Sequence, residues 1–312
     1  MKVFFISLGC DKNTVDSEMM LGILNKAGHT ITYDENEAEA AVINSCAFIA
    51  DAKQESINTI LEMAALKNTG SLKVIAVTGC LSQRYKEEIR KEIPEVDILL
   101  GIQSFDKLAE ALSECENGNS VTEYTSLDTP PICGYPRRLT TPTHYAYIKI
   151  AEGCNKHCTY CIIPGLRGKY RSVNMETLVS EAKDLADRGV KELILVAQET
   201  TLYGVDLYGE KKLPTLIKEF ARIDGIERIR LLYCYPEEIT DELIAVFKEE
   251  PKLCHYIDMP IQHGSDYILK RMARRTNEQD IRNIIGRLRS EIPDICIRTT
   301  LITGFPGERI KD

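Results

Sequence analysis

The chain reads as an α/β protein in two parts, an N-terminal parallel-sheet domain followed by a partial TIM-like (β/α) barrel. Three observations carry that expectation. Short apolar runs alternate with helix-period segments along nearly the whole chain, the pattern of parallel sheets covered by helices. The alternation breaks once, where Pro130, Pro131, Pro136 and Pro142 crowd together with Gly118 and Gly134. A length of 312 residues also suits two domains of ~150 residues each. The domains are expected at 1–123 and 143–312, with 124–142 as a linker.

In the first domain VFFISLG is a buried strand, followed by a helical pattern from Thr14 to Lys26 through Val15, Met19 and Leu24. AAVINS is the next strand. A helix follows from Asp51, which reads as a capping box with Gln54 three residues on. Ile57, Ile60, Leu61 and Ala64 recur along it at helical spacing. KVIAVTG and DILLG supply the third and fourth strands. From His144 five strands are expected: YAYIKIAEG, ELILVAQ, RIRLLYCY, YIDMPIQ and ICIRTTLITG. Helices near Glu176–Arg188, after Pro214, from Thr240 and through Ser290 separate them.

Composition narrows the class. Hydrophobic residues make up 44% of the chain and no apolar run reaches transmembrane length, so real cores and no membrane partner are expected. The apolar start ends at Leu8, and Asp11, Lys12 and Asn13 follow; that is too short for a signal peptide, and a cytoplasmic protein is expected. A net charge of −8 argues against a surface built to grip nucleic-acid phosphates, and DNA is not an expected partner. One basic run, Lys270 and Arg271 with Arg274 and Arg275, reads as a solvated helical face. Eleven cysteines are many for a reducing compartment, and an odd total fits poorly with full pairing; metal ligation or catalysis is the expectation.

Two cysteine triplets stand out. Cys154, Cys158 and Cys161 form a CxxxCxxC loop directly after the first barrel strand. Such spacing lets one loop wrap three corners of an iron–sulfur cube and leave the fourth iron open. Zinc is the competing occupant, with His157 or His144 completing four ligands. The loop also lies at the carboxyl end of a barrel strand, where such folds place their chemistry. Cys10, Cys46 and Cys80 each close a strand of the first domain, and a parallel sheet brings such positions to one edge. The competing reading is three small apolar side chains in a core.

The CxxxCxxC loop after strand one of a partial barrel resembles the radical S-adenosylmethionine (SAM) superfamily. Both triplets in this order, with GCDKNTVDSE, INSCAFI, AEGCNKHCTYCIIPGLRG, LVAQETTLYGVDLYG and LLYCYPEEITDE, resemble the RimO-type branch of the methylthiotransferase family over essentially the whole chain. Asp11 departs from the proline expected there. The resemblance implies that Cys10, Cys46 and Cys80 bind an auxiliary 4Fe-4S cluster carrying transferable sulfur. It implies that Cys154, Cys158 and Cys161 bind a second 4Fe-4S cluster, which cleaves S-adenosylmethionine to a 5′-deoxyadenosyl radical. Tyr160 is expected near the adenine, Gln198 and Glu199 at the methionine amine, Gln262 and Ser265 at the ribose, and Ile302 and Gly304 beside the adenine. Cys115, Cys133, Cys234, Cys254 and Cys296 match no ligand position and are expected to be structural.

The implied reaction adds a methylthio group to the β-carbon of an aspartate in a small-subunit ribosomal protein, with flavodoxin or ferredoxin as electron donor. Alternatives are a transfer-RNA methylthiotransferase and an inactive iron–sulfur fragment. Relatives are expected to continue past Asp312 with another helix, a sixth strand and a small TRAM domain, so the chain reads as a truncated form.

Overall fold

The computed structural model describes residues 1–312. The chain forms two compact units, Met1–Thr140 and Thr141–Asp312, each built on its own parallel sheet.

The first unit runs β1 (Lys2–Ser7), α1 (Asp11–Lys26), β2 (Thr30–Thr32), β3 (Ala40–Ser45), α2 (Ala50–Thr69), β4 (Val74–Thr78), α3 (Gly79–Glu92), β5 (Ile98–Leu100), α4 (Leu108–Glu116) and β6 (Val121–Glu123). Its six strands lie in the order β2-β1-β3-β4-β5-β6, all parallel. Every residue of β3 and β4 is buried, as central strands covered on both faces require. The edge strands β2 and β6 escaped the sequence reading because TIT and VTE are short and carry no apolar run. Helix α1 starts at Asp11 rather than Thr14, because Cys10 already holds the extended N-cap conformation directly after β1. The capping box expected at Asp51 does not form. Helix α2 begins at Ala50 with Ile49 as its N-cap, and the Gln54 amide donates to Asn58 Oδ1 at 2.8 Å instead. Asp51 keeps only the favourable charge of a first-turn acid.

Most of the stretch expected as a linker belongs to this unit. Glu18 of α1 is fully buried and accepts from Arg137 Nη2 at 2.5 Å, from the Thr140 amide at 2.7 Å and from Thr140 Oγ1 at 3.0 Å. Gly22, one turn further along α1, lies so close to the Pro136 carbonyl that no side chain fits between them. Proline-rich composition described an irregular path, and the buried ion pair pins that path down. Replacing Glu18 by Ala strips Arg137 of a buried carboxylate and is expected to cost about 3 kcal/mol, read as a lower urea midpoint.

The second unit contains β7 (Tyr145–Lys149), β8 (Ala151–Glu152), α5 (Ile163–Arg167), β9 (Arg171–Ser172), α6 (Met175–Asp187), β10 (Glu192–Val196), α7 (Val205–Tyr208), α8 (Leu213–Ala221), β11 (Arg228–Leu231), α9 (Asp241–Glu249), β12 (Leu253–Asp258), α10 (Asp266–Arg271), α11 (Glu278–Glu291) and β13 (Cys296–Arg298). The five long strands pair in parallel in chain order, β7-β10-β11-β12-β13, as an open (β/α) barrel does. Helices α6, α8 and α9 are amphipathic, burying Leu178, Ala182 and Leu185, then Leu216, Ile217 and Phe220, then Leu243, Ile244 and Phe247. Parallel pairing puts every strand's carboxyl end at one edge, so the loops after all five strands meet there. No helix is long and apolar enough to cross a membrane.

Candidate active site

In the first unit the sheet register sets the cysteine triplet. Ser7 pairs with Asn44, and Asn44 with Thr78, across the adjacent strands β1, β3 and β4. Cys10, Cys46 and Cys80 follow these residues by two or three positions, so all three leave the sheet at the same carboxyl edge. Two glycines allow the close approach. Gly9 holds φ +96°, and a Cβ there would lie 2.9 Å from Cys46 Cβ and 3.1 Å from Cys46 Sγ. Gly79 holds φ +86°, and a Cβ there would overlap Asn44 Oδ1 and the Ser45 backbone. Each glycine immediately precedes a cysteine, so the turns bearing Cys10 and Cys80 fold down against the strand that delivers Cys46.

The polar residues after Cys10 lock this edge. Asn13 Nδ2 donates to the carbonyls of Leu8 (2.9 Å) and Ser45 (3.1 Å), tying the ends of β1 and β3 together. Asn44 Nδ2 donates to the Asn13 carbonyl at 3.0 Å and to Ser17 Oγ at 2.9 Å, and the Ser7 and Ser17 hydroxyls lie 2.7 Å apart. Ser56 of α2 clamps Cys46 from the other side, its hydroxyl donating to the Cys46 carbonyl and accepting from its amide, both at 2.9 Å. Cys10 is the N-cap of α1 and Cys80 lies in the first turn of α3.

In the second unit the CxxxCxxC loop is closed at its base. The β8–β9 ribbon pairs Ala151 with Ser172 and Glu152 with Arg171. The Cys154 amide donates to the Gly168 carbonyl at 3.1 Å, and the Tyr170 amide to Asn155 Oδ1 at 3.0 Å. Cys154 and Cys158 are buried and Cys161 is half-buried. Burial pushes the Cys154 thiol up to about 11, and the nearby Glu199, Cys161 and Cys158 push the same way. Tyr160 is shifted upward by its own burial and then by Cys158.

The loop ends of the other strands supply polar groups around these thiols. Glu199, after β10, is fully buried; desolvation raises its carboxyl to about 8 despite the Thr201 hydroxyl and Lys156. Its Oε2 makes no hydrogen bond, and neither does the buried Oε1 of Gln198. Glu199 Oε2 lies 3.8 Å from Lys156 Nζ, and the Gln198 oxygen is a buried acceptor of the kind an ammonium-bearing ligand requires. Gln262 and Ile302 come together through the Ile302 amide, which donates to the Gln262 carbonyl at 2.8 Å. The Ser265 hydroxyl faces Asp312 Oδ1 at 3.3 Å, and Gly304 is an exposed turn residue with φ +76°.

Several residues around this site were missed by sequence reasoning. Lys156, inside the cysteine loop, donates to Glu237 Oε1 at 2.7 Å and Glu238 Oε1 at 2.6 Å, fastening the loop to the segment after β11. Its ammonium lies 4.6 Å over the Tyr235 ring, and the Arg274 guanidinium lies 4.3 Å over the same ring. Glu152 is fully buried two residues before Cys154. Its Oε2 accepts from Lys149 Nζ at 2.9 Å and Arg167 Nη1 at 3.0 Å, and its Oε1 from Gln198 Nε2 at 2.8 Å. Burial opposes ionisation of Glu152, but Arg167 and Lys149 outweigh it and hold the carboxyl far below its ordinary value. Glu152 thereby fixes which end of the Gln198 amide presents its oxygen. Replacing Glu152 by Ala leaves two buried cations without their shared carboxylate, an expected loss of about 3 kcal/mol or more. It also frees Gln198, and S-adenosylhomocysteine affinity measured by equilibrium binding is expected to fall on the order of tenfold.

The residues present fit two iron–sulfur clusters and S-adenosylmethionine. Each unit offers three thiols at one sheet edge, the glycine turns leave a cradle that a Cβ would fill, and the unbonded Gln198 Oε1 and the buried Glu199 carboxyl stand after β10 in the second unit. As the chain stands, no three His, Cys, Asp or Glu side chains lie close enough together to hold a single metal ion. Ligands to a four-iron cube stand further apart than ligands to one ion.

Comparison with known proteins defines the class. Residues 148–312 match the Radical SAM superfamily, and residues 2–101 match a family described as uncharacterized protein family UPF0004. Solved structures of two radical SAM enzymes share the fold. TsrM from Kitasatospora setae superposes with a TM-score of 0.65 at 14% identity, covering 96% of this chain and 66% of that one. OxsB superposes at 0.63 and 14% identity, covering 96% and 49%. The protein is a radical SAM enzyme. Curated relatives narrow it further: ribosomal protein uS12 methylthiotransferase RimO of Lachnoclostridium phytofermentans is 61% identical over 312 residues, all of this chain and 71% of the relative. The RimO proteins of Clostridium tetani and Clostridioides difficile are 52% and 50% identical, with 69% and 70% of their lengths covered. The chain belongs to the RimO methylthiotransferase family, whose cofactors are 4Fe-4S clusters and S-adenosylmethionine.

Proposed function

We propose that this chain inserts a methylthio group at the β-carbon of an aspartate side chain in ribosomal protein uS12. The reading is carried by one observation: two separate thiol triplets, each at the carboxyl edge of its own parallel sheet. Cys154, Cys158 and Cys161 hold one 4Fe-4S cluster, and Cys10, Cys46 and Cys80 hold the other. When bound, these groups and S-adenosylmethionine supply a 5′-deoxyadenosyl radical and transferable sulfur.

The chain's own residues position and exclude. Gln198 Oε1, oriented by Glu152, and the buried Glu199 carboxyl, which ionises on pairing with a cation, receive the methionine ammonium. Tyr160 packs at the adenine with Ile302 and Gly304, and Gln262 and Ser265 bind the ribose. The Lys156 bridge to Glu237 and Glu238 holds the cysteine loop shut, which keeps water from a radical-generating centre. The electron donor is a flavodoxin or ferredoxin, the site of action the cytoplasm.

Incubation with small ribosomal subunits and, separately, with unmodified transfer RNA tests the substrate. A methylthio mass increment on one uS12 peptide is the expected result. An adduct found on transfer RNA alone would overturn it.

A further inference from the structure

The basic run singled out in the sequence splits into an inward and an outward side. Arg274 is buried: its guanidinium covers Tyr235 at 4.3 Å, its Nη2 donates to the Pro260 carbonyl at 3.0 Å, and Cys158 is among the groups acting on its charge. Lys270, Arg271 and Arg275 face solvent. None of the three takes part in an ion pair, although the chain carries 47 acidic residues against 39 Lys and Arg. This stretch is bonded to the cysteine loop itself. The Thr159 hydroxyl donates to the Arg271 carbonyl at 3.0 Å and the Thr159 amide to the Met272 carbonyl at 3.1 Å. Thr159 follows Cys158 directly and is exposed, as is His157 before it. Three exposed cations outside any ion pair thus stand on the stretch bonded to the exposed Thr159 of the thiol loop, Arg271 also donating from Nε to the Pro306 carbonyl at 3.1 Å.

We infer that the exposed face of residues 270–275 is the docking surface for an acidic one-electron carrier protein. The inference rests on the radical reading of the Cys154, Cys158 and Cys161 site. Reductive cleavage of S-adenosylmethionine consumes one electron that the chain does not contain. At this surface one electron would leave the carrier, oxidised by one equivalent, for the cluster that Cys154, Cys158 and Cys161 would hold. No proton or group moves in the step. Charge complementarity fits the occupant: an isolated basic patch on an acidic protein steers an acidic partner to one orientation. Electron-transfer encounters also use small, weak interfaces of the size three side chains can seed. RNA fits less well, because three phosphate contacts release too few counterions for firm binding at physiological salt.

The experiment uses the whole chain with both clusters reconstituted, the Lys270→Glu/Arg275→Glu double variant, and an acidic bacterial flavodoxin as probe. The variant is expected to bind flavodoxin about tenfold more weakly at low salt, and flavodoxin-driven formation of 5′-deoxyadenosine to fall by about the same factor. Dithionite, a small reductant that needs no docking surface, is expected to drive cleavage equally well in both proteins. Unchanged flavodoxin binding and unchanged flavodoxin-driven rates in the variant would overturn the inference. So would retained flavodoxin binding with lost binding to small ribosomal subunits, which would assign the patch to RNA. Failure of the wild-type chain to cleave S-adenosylmethionine with dithionite would sink the radical reading instead, leaving the binding titration to judge the docking surface.

Discussion

Replacing Cys154, Cys158 and Cys161 together by alanine is expected to halve the iron, from about eight to about four atoms per chain, and to abolish 5′-deoxyadenosine formation. The three thiols share one loop whose base is closed by the β8–β9 ribbon and whose middle is fastened by Lys156. Those fastenings do not use sulfur, so the fold is expected to survive the substitution. Cys154 and Cys158 are buried, and alanine at such sites costs a cavity rather than an unpaired charge. Anaerobic iron and sulfide analysis with chromatography of the nucleoside product measures both effects. Should iron vanish entirely, the two triplets hold one shared centre and the assignment of two clusters fails.

The matching variant in the other triplet, Cys10, Cys46 and Cys80 to alanine, is expected to give the opposite division. Iron again falls to about four atoms, cleavage of S-adenosylmethionine continues, and no methylthio product forms on uS12. The physical reason is that the triplets stand on separate sheets in separate units, each locked by its own hydrogen bonds. Asn13, Asn44, Ser17 and Ser56 hold the first edge whether or not the sulfurs are present. Mass spectrometry of the ribosomal peptide beside a 5′-deoxyadenosine assay separates the two activities. A variant that still transfers the methylthio group would remove the sulfur-carrying role from these cysteines.

Much of the site was legible in the chain because covalent spacing and strand periodicity encode it. CxxxCxxC needs only one loop, and strand-terminal cysteines need only a parallel sheet to share an edge. Relatives of known name then agree with the family expected from those residues. Charge partners separated widely in sequence could not be read this way. Lys156 finds Glu237 and Glu238 about eighty residues on, and Gln198 finds Glu152 across two strand ends. Nothing local to either partner marks the other.

Sequence by itself determined the alternation of strands and helices, the two-part organisation and the six thiols, since each depends on periodicity or near-neighbour spacing. Only the folded chain decided that Glu18 anchors the proline-rich stretch, that Glu152 sets the orientation of the Gln198 amide, and that one arginine of the basic run turns inward while its neighbours stay exposed. These depend on which groups lose water together, and burial belongs to the assembled sheet and its helices rather than to any segment alone.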